Sequence, residues 1–250
     1  EFRRVLFRSV EINEAEVPVK ILKYGLAPDS GGAGRHRGGT GTTLEFQVSA
    51  PDTVVTARNR DRSRFTPWGS CGGEAGKASE FLLNPGTNHE INLGNTDVVT
   101  VQPGDIIRIT SAGAGGWGDP FEREAERVLD DVRRGFVSLA NAEAEYGVVI
   151  KNGAIDAKAT AARRALKKGA AGNNGFGFNK AWLDYEAVWT RANYERLTAL
   201  LAKLPVEWRF FIKHRVFEGM AALPAAERTG KGDEVERIFD GVAGLYPQLK

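Results

Sequence analysis

Apolar positions along residues 17–116 recur with the short period of β-structure. LEFQV (44–48), DTVVTA (52–57), SEFLL (79–83), DVVTV (97–101) and DIIRIT (105–110) are alternating or β-branched runs, the pattern of strands with a buried face. Ala50-Pro51-Asp52, Asn84-Pro85-Gly86, Gly94-Asn95 and Gln102-Pro103-Gly104 separate them as turn signals. Short strands at this spacing predict a mostly antiparallel sheet, sandwich or barrel.

The period lengthens at Asp119. DPFEREAERVLDDVRRG offers Asp119 as N-cap, Pro120 at N1 and Glu122 at N3, so one helix is expected to run from here to Gly135. Its apolar stripe is Ala125, Val128, Leu129 and Val132. A short helix after Ser138, a strand at YGVVI (146–150) and a turn at Lys151-Asn152-Gly153 follow. From Asp156 the pattern is helical: 156–168, 182–204, 207–223 and 233–242, with GAAGNNGFGFN (169–179) as a connector. Trp182, Trp189, Trp208, Phe210 and Phe211 read as helix–helix packing, and no internal repeat is evident. The fold class is therefore α+β: a β-rich, mostly antiparallel region followed by helices and a helical C-terminal tail. The expected divisions are 1–9, 10–155 and 156–250.

The first nine residues stand apart. EFRRVLFRS contains no apolar run long enough for a secretory signal. It matches, residue for residue, one reading frame of a sequencing-library adapter. We therefore expect residues 1–9 to be artefactual and the natural protein to continue upstream of Val10. This changes the charge. Removing three arginines and one glutamate from 34 basic and 32 acidic residues leaves 31 of each, so bulk charge points to neither nucleic acid nor an anionic membrane. No run is long enough to span a bilayer. The single cysteine, Cys71, excludes an internal disulfide and zinc-finger spacings. A cytoplasmic setting is the simplest expectation. His36, His89 and His214 form no metal-ligand spacing.

Three glycine-rich stretches hold the candidate chemistry. DSGGAGRHRGGTG (29–41) reads as a tight irregular turn, or as an anion loop in which backbone amides join Arg35, His36 and Arg37 as donors. In ARNRDRSRFTPWGSCGGEAG (57–76), Arg58, Arg60, Arg62 and Arg64 alternate. On an extended chain they would share one face, either solvated along a sheet edge or facing a phosphate, a carboxylate or an acidic partner. GAGGWG (113–118) has the G-x-G-x-x-G spacing, but no βαβ unit precedes it and Asp119 places a carboxylate where a phosphate would sit. That argues against a dinucleotide site. Cys71 reads as an inert small residue.

These stretches resemble the C-terminal part of the hydantoinase B/oxoprolinase family. The resemblance rests on GLAPDSGGAGRHRGGTG (25–41), DRSRFTPWGSCGGEAG (61–76), PGDIIRITSAGAGGWGDPFER (103–123) and VLDDVRRGFVSLANAEAEYGVVI (128–150), in family order. It implies a large B-type subunit, roughly twice this length, working with a hydantoinase A-type partner that holds ATP and magnesium. It implies ATP-dependent hydrolysis of cyclic amides such as 5-oxoproline or N-methylhydantoin. The alternative within the family is a ketone carboxylase of the acetone or acetophenone type. The non-enzymatic alternative is a subunit-assembly module. Catalytic residues and any divalent metal are expected upstream of Val10, and the isolated segment is expected to be inactive. The residues expected to touch substrate or partner are Asp29, Arg35, His36, Arg37, Arg58, Arg60, Asp61, Arg62, Arg64, Gly72 and Gly73; no metal ligand is assigned.

Overall fold

The computed structural model describes residues 9–57, 62–166 and 175–249. The chain forms two compact units, divided between Asn179 and Lys180.

The first unit is built on five antiparallel strands in the order β1 (Val19–Leu26), β2 (Thr42–Val48), β8 (Ile106–Thr110), β5 (Glu80–Leu83), β6 (Ile91–Asn92). A separate ribbon pairs β3 (Thr53–Thr56) with β7 (Val98–Val101). Alternation explains the packing: Leu44 and Phe46 stand opposite Ile109 and Ile107, and these positions point to one side of the sheet. The ribbon adds Val55 and Val101 to the same core. The five strands predicted between residues 44 and 110 all form. The turn signals are also in place, with Asp52, Asn84, Gly86, Gly94 and Gly104 at positive φ. A helix not foreseen, α1 (Val10–Glu16), precedes the sheet.

The helix expected from Asp119 is split. Asp119 Oδ1 accepts from Phe121 N at 2.8 Å and starts a 3-10 turn, Pro120–Glu122, and α2 begins only at Ala125 and runs to Arg133. A single capping carboxylate satisfies one turn, and Arg123 and Glu124 are extended before the next. Helix α3 is Leu139–Tyr146, capped by Ser138 and closed by Gly147 in the left-handed region. Of the strand expected at 146–150, Tyr146 ends the helix and residues 147–149 are irregular. Only Ile150–Lys151 (β9) pairs, with Ala154–Ile155 (β10) across Asn152-Gly153. A second core gathers Val128, Val137, Ala142, Tyr146 and Val148.

Helix α4 (Ala157–Ala165) belongs to this unit. Asp156 caps it through Ala159 N, and Arg164 donates to the carbonyls of Tyr146 and Arg123 at 3.1 and 2.7 Å. Phe176–Gly177 (β11), inside the expected connector, pairs with Gly69–Ser70 (β4).

The second unit is helical: α5 (Lys180–Val188), α6 (Arg191–Ala202), α7 (Val206–Ala222) and α8 (Asp233–Gly244). The single helix predicted over 182–204 breaks because Thr190 acts as N-cap, its Oγ1 accepting from Asn193 N at 3.3 Å. Leu197, Leu200, Ile212, Val216, Met220, Val235 and Phe239 form its core, with Trp189 stacked on Phe217 at 4.0 Å. Phe210 departs from the expected packing and is 81% exposed.

This unit also holds a short repeat that the sequence reading missed. A-x-L-P-x-x-x-R occurs at 202–209 and again at 221–228. In each copy the arginine folds back on the preceding helix end. Arg209 donates to Leu204 O and Ala202 O at 2.9 and 3.2 Å, and Arg228 to Leu223 O and Ala221 O at 3.0 and 3.4 Å. The guanidinium fork satisfies carbonyls that the helix leaves open.

Candidate functional site

The three glycine stretches, distant in sequence, meet in one junction. Gly32 N donates to Ala114 O, Gly113 N to Lys77 O, and Lys77 N to Ser30 O, at 2.8, 3.2 and 2.8 Å. One stretch therefore gives to the second, the second to the third, and the third to the first. Glu74 N to Ala33 O and Gly116 N to Glu74 O, at 2.7 and 2.9 Å, repeat the cycle further along.

The approach is so close that side chains are excluded. A Cβ on Gly113 would sit 1.8 Å from Ser30 O, and one on Gly38 would sit 2.0 Å from Ala114 O. Gly31/Gly34, Gly38/Gly41, Gly73/Gly76 and Gly113/Gly116 are each three apart. Glycine at every third position is what extended chains need when they share a crowded axis, as in collagen. The bulk of the glycine signature is therefore explained by packing.

That packing occupies five amide donors of the anion-loop reading. The amides of Gly32, Arg35, His36, Gly38 and Gly41 all donate within the protein, to Ala114 O, Gly118 O, Trp117 O, Gly32 O and Ser30 Oγ. They offer no nest for a phosphate. GAGGWG is likewise occupied: Gly113, Ala114, Gly116, Trp117 and Gly118 donate to Lys77, Gly39, Glu74, His36 and Ser70 carbonyls.

The predicted residues divide by position. Asp29 sits at φ +58, and its Oδ1 accepts from Ser138 N at 2.7 Å, tying the first glycine stretch to α3. Arg37 turns inward, with Nη1 on Gly38 O at 2.6 Å and its guanidinium over the Phe136 ring. Its Nε meets Asp131 Oδ2 at 3.3 Å, and Arg123 Nη2 meets the same oxygen at 2.9 Å. This cluster is largely buried, and Tyr146 belongs to it: burial pushes its hydroxyl up to about 12, against the pull of Arg123 and Arg37. Arg123 Nε is buried without a hydrogen-bond partner. Sequence reasoning missed Asp131 and Arg123. The available signal was Asp131 lying three residues after Val128, on the buried face of α2.

Arg35 and His36 remain outside. Arg35 is exposed, 3.9 Å from Glu122, and His36 lies against Trp117 with ring centroids 5.4 Å apart. Of the alternating arginines, the two that are described, Arg62 and Arg64, do not lie on a strand. Arg62 has φ +65 and residues 62–65 form a turn, which breaks the period-two geometry. Arg62 lies over Trp68, and Arg64 over Phe65. Trp68 in turn contacts Phe176 and Phe178, with centroids 6.0 and 6.1 Å apart. Arg58, Arg60 and Asp61 fall outside the described residues. Gly72 and Cys71 adopt positive φ, Cys71 is exposed, and Gly73 packs on Gly116 O. Among the described residues no three His, Cys, Asp or Glu side chains gather as a metal site, and no helix is long and apolar enough to cross a membrane.

The glycine junction lies wholly within residues 3–120, the stretch that matches the family model described as hydantoinase B/oxoprolinase. Across that stretch the chain belongs to the hydantoinase B/oxoprolinase family. The match begins inside the nine residues that read as adapter. Caprolactamase subunit beta of Pseudomonas jessenii is 39% identical over 175 residues, covering 66% of this chain and 29% of that protein. The crystal structure of the ATP-dependent caprolactamase from Pseudomonas jessenii shares 34% identity at a TM-score of 0.55, over 63% of this chain and 28% of that one. A nucleotide-free acetone carboxylase structure covers 96% of this chain and 33% of its own at a TM-score of 0.52; at 18% identity it shows the fold alone. The chain thus spans under a third of the length of the relatives it matches.

Proposed function

We propose that this chain is a segment of the B-type subunit of an ATP-dependent cyclic amide hydrolase, acting with an A-type partner. The observation that carries the reading is the 39% identity to caprolactamase subunit beta, joined to a glycine junction that falls wholly inside the family match. ATP with magnesium, held by the partner, would supply phosphorylation of the amide oxygen and so activate the ring for hydrolysis. Placing the nucleotide on the partner is supported by the glycine stretches, where ten amides that could cradle phosphates already donate to protein acceptors. Their part is to brace. The junction and the Arg37–Asp131–Arg123 cluster hold three loops and α2 in one geometry, on which Arg35, His36, Arg62, Trp68 and Trp117 are displayed at the surface. Those exposed groups are the proposed contact with the rest of the subunit or with the partner.

The test uses the complete B-type subunit co-expressed with its A-type partner. ATP-dependent ring opening of 5-oxoproline, a hydantoin or a lactam is expected. Bicarbonate-dependent consumption of a ketone, with no ring opening, would move the assignment to a carboxylase. Assembly without turnover of either substrate class would sink the enzymatic reading.

A further inference from the structure

The apolar side of the five-stranded sheet is closed by the β3–β7 ribbon, but the other side carries a polar cavity of about 330 Å³. Its floor follows from the strand register. Thr43 on β2 stands opposite Thr110 on β8, which stands opposite Glu80 on β5; one row along, Lys23, Glu45 and Arg108 line up across β1, β2 and β8. Lys77 enters from the glycine junction.

Charge in this cavity is uneven. Glu45 neutralises Arg108 by a direct ion pair. Lys23, Lys77 and Glu80 make no side-chain ion pair or hydrogen bond among the described residues. Two ammonium groups thus face one carboxylate, and the wall carries a net positive charge. Both lysines are mounted on fixed backbone. Lys23 follows a register shift in β1, the kind of bulge that re-aims a side chain. The main chain of Lys77 is held at both ends, through its N–H on Ser30 O and its carbonyl under Gly113 N. The Thr43 and Thr110 hydroxyls, 3.3 Å apart, form a hydrogen-bonding floor between them.

We infer that this cavity binds a small oxyanion, the carboxylate or phosphate group of a small molecule, between Lys23 and Lys77 over the threonine floor. Glu80 opposes polyanions and offers an acceptor to a donor group on the same ligand. The inference stands on the sheet face and on Lys77 beside it, and does not depend on the hydrolase reading.

The experiment is a backbone-amide NMR titration of the full chain at constant ionic strength, with inorganic phosphate in one arm, acetate in another and chloride as control. Saturable shifts centred on residues 23, 43, 77 and 110 are expected with phosphate, acetate or both; whichever arm responds identifies the source of the anion. The double variant Lys23→Gln/Lys77→Gln should bind at least tenfold more weakly, while Lys158→Gln on α4 should bind as the unchanged chain does. Glu80→Gln should tighten binding several-fold, a gain that misfolding cannot imitate. Absence of saturable shifts in both arms, equal weakening by Lys158→Gln, or no gain with Glu80→Gln would each overturn the inference.

Discussion

Arg123 and Asp131, eight residues apart, are joined at 2.9 Å inside the first unit, with the Asp131 side chain only 10% exposed. Arg37 reaches the same carboxylate oxygen at 3.3 Å, so one anion serves two cations. Removing it leaves two guanidiniums in a poorly solvated place. A buried pair broken from one side typically costs about 3–5 kcal/mol. Asp131→Ala should therefore lower the urea midpoint sharply, whereas Arg35→Ala, which loses only an exposed contact of 3.9 Å, should change stability by less than about 0.5 kcal/mol. Equal effects of the two would remove the cluster from its bracing role.

The glycine junction makes a contrast of its own. Gly113→Ala would drive a methyl group to 1.8 Å from Ser30 O, a backbone atom that cannot swing away. Expression as aggregate, or loss of more than about 3 kcal/mol by urea unfolding, is expected. Gly39 lies in the facing stretch that holds Ser30, but a Cβ added there would meet nothing within 4 Å, and its φ is not positive. Gly39→Ala should be neutral, or stabilising by about 0.4–1 kcal/mol through the unfolded chain. A tolerated Gly113→Ala would refute the packing account of the motif.

How much of this was legible in sequence follows from which interactions are local. Strand alternation at Leu44/Phe46 and Ile107/Ile109, and the turn at Gln102-Pro103-Gly104, depend on neighbours in the chain, so their elements could be placed. The Arg62–Arg64 face failed because a positive φ at Arg62 cannot be read from alternation. The meeting of residues 31–41, 73–77 and 113–116 depends on long-range hydrogen bonds, and the glycines looked like turn punctuation because exclusion of Cβ by a distant carbonyl leaves no local pattern. The three-residue spacing was visible but has no reading until the chains are known to share an axis. Asp131 was hidden by its neighbour Asp130, which is exposed on α2 while Asp131 is buried.

Glu234 sets an acid limit on the second unit. It is 2% exposed. Burial alone would raise its pKa, but hydrogen bonds from Thr229 Oγ1, Gly230 N and Asn193 Nδ2 overcome that and hold it at about 2, below the ordinary 4.5. The folded value is depressed, so the stabilisation is complete above the unfolded pKa and is lost as pH falls from about 4.5 toward 2. A difference of this size corresponds to roughly 3–4 kcal/mol. Thermal unfolding of the second unit should weaken across that window, and Glu234→Gln should flatten the dependence while lowering stability at neutral pH. An unchanged acid profile in the variant would assign the acid sensitivity elsewhere.

The paired A-x-L-P-x-x-x-R segments allow a test of geometry rather than charge. Each arginine serves two carbonyls at a helix end, Leu204 and Ala202 for Arg209, Leu223 and Ala221 for Arg228. Proline at 205 and 224 stops each helix, and the open carbonyls are left needing donors. Hydrogen bonds from a charged donor contribute about 1.5–3 kcal/mol, reduced here by partial exposure of the side chains. Arg209→Ala and Arg228→Ala should each cost about 1–2 kcal/mol in urea unfolding. Lysine carries the same charge but lacks the planar fork, so Arg209→Lys should recover less than half of the loss. Full recovery by lysine would mean that the positive charge near the helix C-terminus, and not the two-carbonyl contact, is what the repeat preserves.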